Sequence, residues 1–179
     1  MGGLTMVKAV LISIRPEWTA KIFDGRKTLE LRKNRPFISV PFKCYIYCSS
    51  VTSMNLDNYV RVHRETEGRI DEWSGKVVGE FICDEIRHIH IPDNPTQDEF
   101  DMPIYENSCL SYERIRKYCN HGDGFFWHIS RLRIYDTPEE IKNFVGIRKK
   151  NSNIELRVLE NAPQSWCYVI DQKTKEGTI

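Results

Sequence analysis

Val7 to Arg32 reads VKAVLISIRPEWTAKIFDGRKTLELR. Its first segment, Val7 to Ile14, is short, apolar and β-branched and ends at Arg15-Pro16, the pattern of a buried strand. Pro16 fits the first turn of a helix, and Trp18, Ile22 and Phe23 recur at helical spacing behind it. Gly25 is placed to stop that helix in a left-handed conformation. From Thr28 to Lys33, Leu29 and Leu31 alternate with Thr28, Glu30 and Arg32, which predicts a half-buried strand with its polar side chains on one face.

Working outward, Lys43 to Ser49 reads as a strand, Asn55 to Gly68 as a helix with Tyr59 and Val62 on its apolar face, and Lys76 to Ile86 as a long strand whose Gly79 marks a bulge. Pro92 to Pro103 is acidic and proline-punctuated, hence loop, with Asp93, Asp98, Glu99 and Asp101 as its charges. Ser111 is a cap for a helix from Tyr112 to Cys119. Phe125 to Tyr135 carries the strongest strand pattern, and Thr137-Pro138-Glu139-Glu140 reads as the start of a short helix. Ser165 to Asp171 closes as a last strand. The set predicts one α+β domain over residues 1–179, a mixed, barrel-like sheet of five to six strands with inserted helices, and flexible termini at about 1–6 and 172–179.

Composition narrows the class. With 40% hydrophobic and 28% charged residues, 179 residues can bury a core without covalent staples. No apolar run has membrane-spanning length, and the first residues lack a secretory pattern, so a cytoplasmic protein is expected. There is no Gly-x-Gly-x-x-Gly, Walker loop or Gly-x-Ser-x-Gly elbow, which removes common nucleotide- and serine-hydrolase readings. Cys44, Cys48, Cys83, Cys109, Cys119 and Cys167 are scattered without a Cys-x-x-Cys pair, so free thiols are expected. Zinc at Cys44 and Cys48, or at Cys119 and His121, is the sharper and less supported alternative. No cofactor and no metal are expected.

The net charge of +1 gives no whole-protein case for a polyanionic partner. Its distribution says more. Arg26, Lys27, Arg32, Lys33 and Arg35 cluster against Glu30 alone, and Arg148-Lys149-Lys150 forms a second basic patch. On an extended strand Thr28, Glu30 and Arg32 share a face, with Lys27 at the turn entering it. Lysine offers a mobile point charge, and arginine a planar fork for a phosphate or a base edge. The same pattern also fits a salt-bridge ladder on an exposed sheet face.

The spacing Gly-x-Lys-x-x-Glu-x-Arg over Gly25 to Arg32, after Ser13-Ile14-Arg15-Pro16, resembles the signature of the ASCH domain family. Trp127-His128-Ile129-Ser130 and Pro163-Gln164-Ser165-Trp166-Cys167-Tyr168 also resemble members of bacterial and phage type. The resemblance implies a PUA-like β-barrel with a cleft beside the first helix and a role in binding RNA or a nucleotide. Arg15, Lys27, Glu30, Arg32, Trp127 and Ser165 are the ligand-binding residues it suggests, with Trp127 as a stacking surface. Some relatives deacetylate acetylcytidine with a lysine, a threonine and a glutamate. Lys27 matches their lysine and Glu106 weakly matches their glutamate, but Glu30 stands where the threonine would be. Others are ribonucleases. Lys27 and Glu30 are therefore the catalytic candidates of an alternative hydrolase reading, with Glu30 as general base toward water. A cleft for a protein partner is a third reading. His88, His90 and His128 have side chains suited to ligation or acid–base work, though each sits in a pattern that equally fits a polar or semi-buried strand position.

Overall fold

The computed structural model describes residues 7–91, 102–120, 122–150 and 153–172. The acidic stretch at Asp93, Asp98, Glu99 and Asp101, the His121 candidate and the expected flexible ends at 1–6 and 173–179 lie outside them. Gln172 is anchored: its backbone N–H donates to the Tyr45 hydroxyl at 2.9 Å and its side chain to the Asn143 carbonyl at 2.7 Å.

The opening forms as its pattern predicts. Strand β1 covers Lys8–Ile14, helix α1 Pro16–Phe23 and strand β2 Leu29–Arg32. Gly25 takes φ +80° beyond the helix end. There follow β3 (Phe42–Cys48), α2 (Leu56–Glu65), α3 (Arg69–Trp73), β4 (Lys76–Cys83) and β5 (Ile86–His90). The second half holds α4 (Met102–Ser108), α5 (Tyr112–Cys119), β6 (Asp123–His128), β7 (Ser130–Glu139), β8 (Val145–Lys150), β9 (Asn153–Val158) and β10 (Trp166–Ile170). Ser111 caps α5 by accepting from the Arg114 N–H, and Asn55 caps α2 in the same way through the Asn58 N–H.

The architecture is mixed α+β, with more strands than the five to six expected. Seven strands pair in the order β7-β4-β3-β1-β10-β8-β9 and three more in the order β2-β6-β5. Among the described residues these pairings leave two open sheets rather than a closed barrel. The expected long strands at 76–86 and 125–135 each divide between the two sheets. β4 pairs with β7 in the large sheet, Ile82 opposite Ser130, while β5 pairs with β6 in the small one, Ile86 opposite Trp127. The His128 N–H donates to the Glu85 carbonyl between these ladders. A single two-stranded ribbon therefore leaves one sheet and enters the other, bending at Asp84-Glu85 and at Ile129. Strands that switch sheets at a bend are a general way to build such corners.

The helix expected from Thr137 does not form. β7 runs on to Glu139, which pairs with Val77, and only a 3-10 turn at Ile141–Asn143 follows. Cross-strand pairing overrides the local capping signal. The basic patch Arg148-Lys149-Lys150 ends β8, which pairs antiparallel with β9, a strand the sequence reading did not include.

Three apolar clusters organise the packing. Val10, Ile12, Ile14, Cys44, Ile46, Phe81 and Trp127 fill one, with Ala20, Ile22, Val62, Ile70 and Trp73 from the helices. Leu29, Leu31, Ile89 and Phe126 pack the outer face of the small sheet on Ile104 and Ile115 of α4 and α5. Ala9, Leu11, Tyr45, Val77, Phe144 and Val169 cover the other face of the large sheet. The central strand β1 is thus buried on both faces, which is why its sequence runs apolar without alternation.

Gly79 sits at the expected irregularity, where the β4–β7 register shifts between Val77 and Gly79. A Cβ there would lie 2.6 Å from the Arg133 carbonyl oxygen and 3.3 Å from the Phe23 ring. Gly79→Ala should cost about 1–3 kcal/mol through backbone displacement, lowering Tm by about 2–4 °C per kcal/mol. An unchanged melting curve would show that the ribbon accommodates a side chain there.

Candidate functional site

Period-two alternation puts Glu30 and Arg32 on one face of β2. The register adds Trp127, directly opposite Glu30 on β6. Leu29 and Leu31 take the opposite face into the α4–α5 cluster. The polar face turns instead toward the large sheet, where Arg32 Nη2 donates to the Ser13 carbonyl at 2.7 Å. Its Nη1 reaches the Ser165 carbonyl at 3.4 Å and the Ser165 hydroxyl at 3.3 Å.

Glu30 links two cations. Its Oε1 is 2.9 Å from Arg32 Nη2 and its Oε2 is 3.3 Å from Lys27 Nζ. Lys27 Nζ also donates to the Leu29 carbonyl at 2.7 Å and the Ser108 carbonyl at 2.8 Å. All three ammonium protons of Lys27 thus have acceptors. Burial pushes the Lys27 ammonium below the ordinary lysine range, against the opposing pull of Glu30. The expected wall of a cleft is a buried ion-pair chain, with Lys27, Glu30 and Arg32 only 2%, 6% and 7% exposed.

Among the described residues two buried donors in this region lack an acceptor, Arg32 Nε and Trp127 Nε1. Trp127 is fully buried, edge-on to Phe42 at 5.8 Å and tilted against Trp166 at 5.9 Å. It therefore presents no face for stacking in this conformation, because neighbouring rings occupy its surroundings. Arg15 is exposed at the N-cap of α1, and its carbonyl accepts from the Trp18 and Thr19 N–H groups. Ser165 does meet Arg32. Thr28 donates its N–H to the Asn107 carbonyl, which ties α4 to the start of β2.

A half-buried aromatic that the motif does not contain lies beside the chain. Trp18 has Lys21 Nζ at 4.8 Å, Lys27 Nζ at 5.4 Å and the Arg114 guanidinium at 5.5 Å from its ring. The Trp18–Lys21 spacing on α1 was a readable signal; the approach of Arg114 from α5 was not. Three cations around one indole leave positive potential beside an aromatic surface.

The remaining candidates fall elsewhere. His88 Nε2 and His90 Nδ1 share Asp123 Oδ1 at 2.9 and 3.0 Å, and His128 Nδ1 meets Asp84 Oδ1 at 2.6 Å. Hydrogen bonding to the histidines holds the Asp123 carboxyl below the usual carboxylate range. All six cysteines are free. Among the described residues no three metal-binding side chains come together. A groove of about 660 Å³ runs past Val7, Lys8, Phe42, Lys43, Asp84 and Arg131, and none of the expected site residues lines it.

No protein-family model matches the chain, and neither does any curated protein. In structure it is similar to the ASCH protein from Zymomonas mobilis, at 17% identity and TM-score 0.46, covering 89% of this chain and 86% of that one. Two point mutants of that protein give 15% identity with TM-score 0.47 and 17% with 0.46, covering 89% of this chain and 88% and 87% of theirs. The structural neighbours are ASCH proteins. That is the family whose signature Gly25 to Arg32 resembles.

The buried chain makes a stability prediction. Glu30→Gln leaves two buried cations without a counter-charge and should cost about 3–5 kcal/mol in denaturant unfolding. Adding Lys27→Met removes one of those cations, so the double variant should be more stable than the sum of the two single losses. Strictly additive losses would mean that the two side chains are not coupled.

Proposed function

We propose that this protein binds a nucleotide or an unpaired RNA base where Trp18 meets the Lys27–Glu30–Arg32 chain, in a PUA-like domain. The observation that carries the reading is Trp18 among Lys21, Lys27 and Arg114. An aromatic face stacks on any base, and cations beside it complement the phosphate. Lys21 and Arg114 form no ion pair with a carboxylate among the described residues, so their charge is available to a ligand. Behind them the chain carries two cations and one carboxylate, a net positive charge that suits an anion. Arg32 Nε and Trp127 Nε1 are buried donors behind this surface that a bound water would satisfy.

Lys27 acts in this reading as a positioning residue. Its protons are committed to two carbonyls and to Glu30, so it holds the carboxylate and Arg32 in register while Trp18, Lys21 and Arg114 contact the ligand.

Fluorescence anisotropy with a labelled single-stranded RNA, competed by a mononucleotide, tests this. Trp18→Ala should weaken binding about 5- to 150-fold, the equivalent of one lost base stack of about 1–3 kcal/mol. Lys21→Gln and Arg114→Gln should each reduce the salt dependence by about one ion. Unaltered affinity in all three overturns the reading. Product formed from RNA or acetylated cytidine by the native protein, and lost in the Lys27→Met/Glu30→Gln double variant, would replace binding with hydrolysis.

A further inference from the structure

The seven-stranded sheet ends in two very different edges. At one end β7 shows two register irregularities against β4, and it carries Pro138 with Arg131, Arg133, Asp136 and Glu139. Bulges, proline and charge are the usual means of keeping an edge from pairing with another chain. At the other end β9, Asn153–Val158, has no proline, no glycine and no irregularity in its pairing with β8. All six of its residues are exposed, and among the described residues nothing pairs with its outer side.

This edge is amphipathic. Val145, Ile147 and Lys149 stand opposite Val158, Leu156 and Ile154, so these six share one face of the hairpin. Ile154, Leu156 and Val158 are 56%, 45% and 50% exposed, an apolar stripe in open solvent. The other face carries Arg148 opposite Glu155 and Gly146 opposite Arg157.

The order of side chains along β9 is self-complementary. From these observations we infer that β9 pairs antiparallel with β9 of a second copy, about a two-fold axis at Leu156, to make a homodimer with one continuous sheet. In that register Leu156 meets the partner's Leu156, and Ile154 meets the partner's Val158. On the opposite face Glu155 meets the partner's Arg157, and Arg157 meets the partner's Glu155. The polar row then alternates in sign, from Arg148 through Glu155 to the partner's Arg157. Sliding the pairing by two residues in either direction removes both inter-chain charge pairs, so the register is specified by charge and by the apolar stripe together. Arg157 also lies 3.3 Å from Glu160 in its own chain, but both are over 70% exposed and that contact exchanges readily for the inter-chain one. The interaction is isologous, so it closes at two copies.

A six-residue edge contact is small beside a standard interface, which places the dimer in the weak, concentration-dependent class. Sedimentation velocity over the micromolar range should show the 179-residue chain passing from monomer to dimer. Arg157→Glu places two glutamates opposite each other twice, and Glu155→Arg does the same with arginines. Each should weaken association about tenfold or more. The decisive step is to mix the two variants in equal amounts, because each then opposes the other's complementary charge and a mixed dimer should form. That recovery excludes misfolding as the cause of either loss. A native protein that stays monomeric throughout, assembly that grows beyond two copies, charge variants that dimerise like the native chain, or a mixture that stays monomeric would each overturn the inference.

Discussion

The arrangement of this protein depends on three charges kept out of water together. Lys27, Glu30 and Arg32 are buried, and they are stabilised by one another, by the neighbouring Leu29 carbonyl, and by carbonyl and hydroxyl groups from distant parts of the chain. Arg32 carries the small sheet to the backbone of β1 and to Ser165 ahead of β10, while Lys27 carries the end of α4 to the start of β2. Apolar clusters hold these elements together but tolerate sliding, because the hydrophobic effect has no direction. Charge-assisted hydrogen bonds do have direction. The ion-pair chain is therefore what fixes the small sheet over one end of the large one, whatever its net contribution to stability.

That dependence explains what could be read along the chain and what could not. β1, α1, β2, β3 and α5 formed where spacing placed them, because their signals are local: a proline at a first turn, a glycine at φ +80°, a serine cap, alternation of period two. The polar face of β2 was legible for the same reason. Its burial was not, since Ser108, which Lys27 meets, and Ser165, which Arg32 meets, lie 81 and 133 positions away. The two long strands were read correctly as extended chain, but neither Asp84-Glu85 nor Ile129 advertises a bend. The β8–β9 hairpin escaped notice because Arg148, Lys149 and Lys150 interrupt the alternation of β8, although Ile154, Leu156 and Val158 alternate cleanly in β9.

The aromatic residues show the same limit. Trp127 sits in the segment that resembles a family motif and lies at the centre of the core. Trp18 sits on a short amphipathic helix, half-buried against the core, and is the one whose ring meets three cations. Sequence placed both on the correct elements. Which of them faces water depends on how α5 and the ribbon pack against those elements, and no spacing rule encodes that.

The bent ribbon has a consequence for how the chain reaches this state. Bringing remote segments together costs loop-closure entropy that grows only slowly with loop length. Because β5 continues β4 and β6 continues β7, pairing β4 with β7 already brings the partners of the second ladder alongside one another. One closure event serves both sheets, and only β2 must then be captured on β6 by a contact of its own. The small sheet is less a separate layer than the far arm of a hairpin begun in the large one, and its cooperativity with the rest of the molecule is written into the connectivity of the backbone.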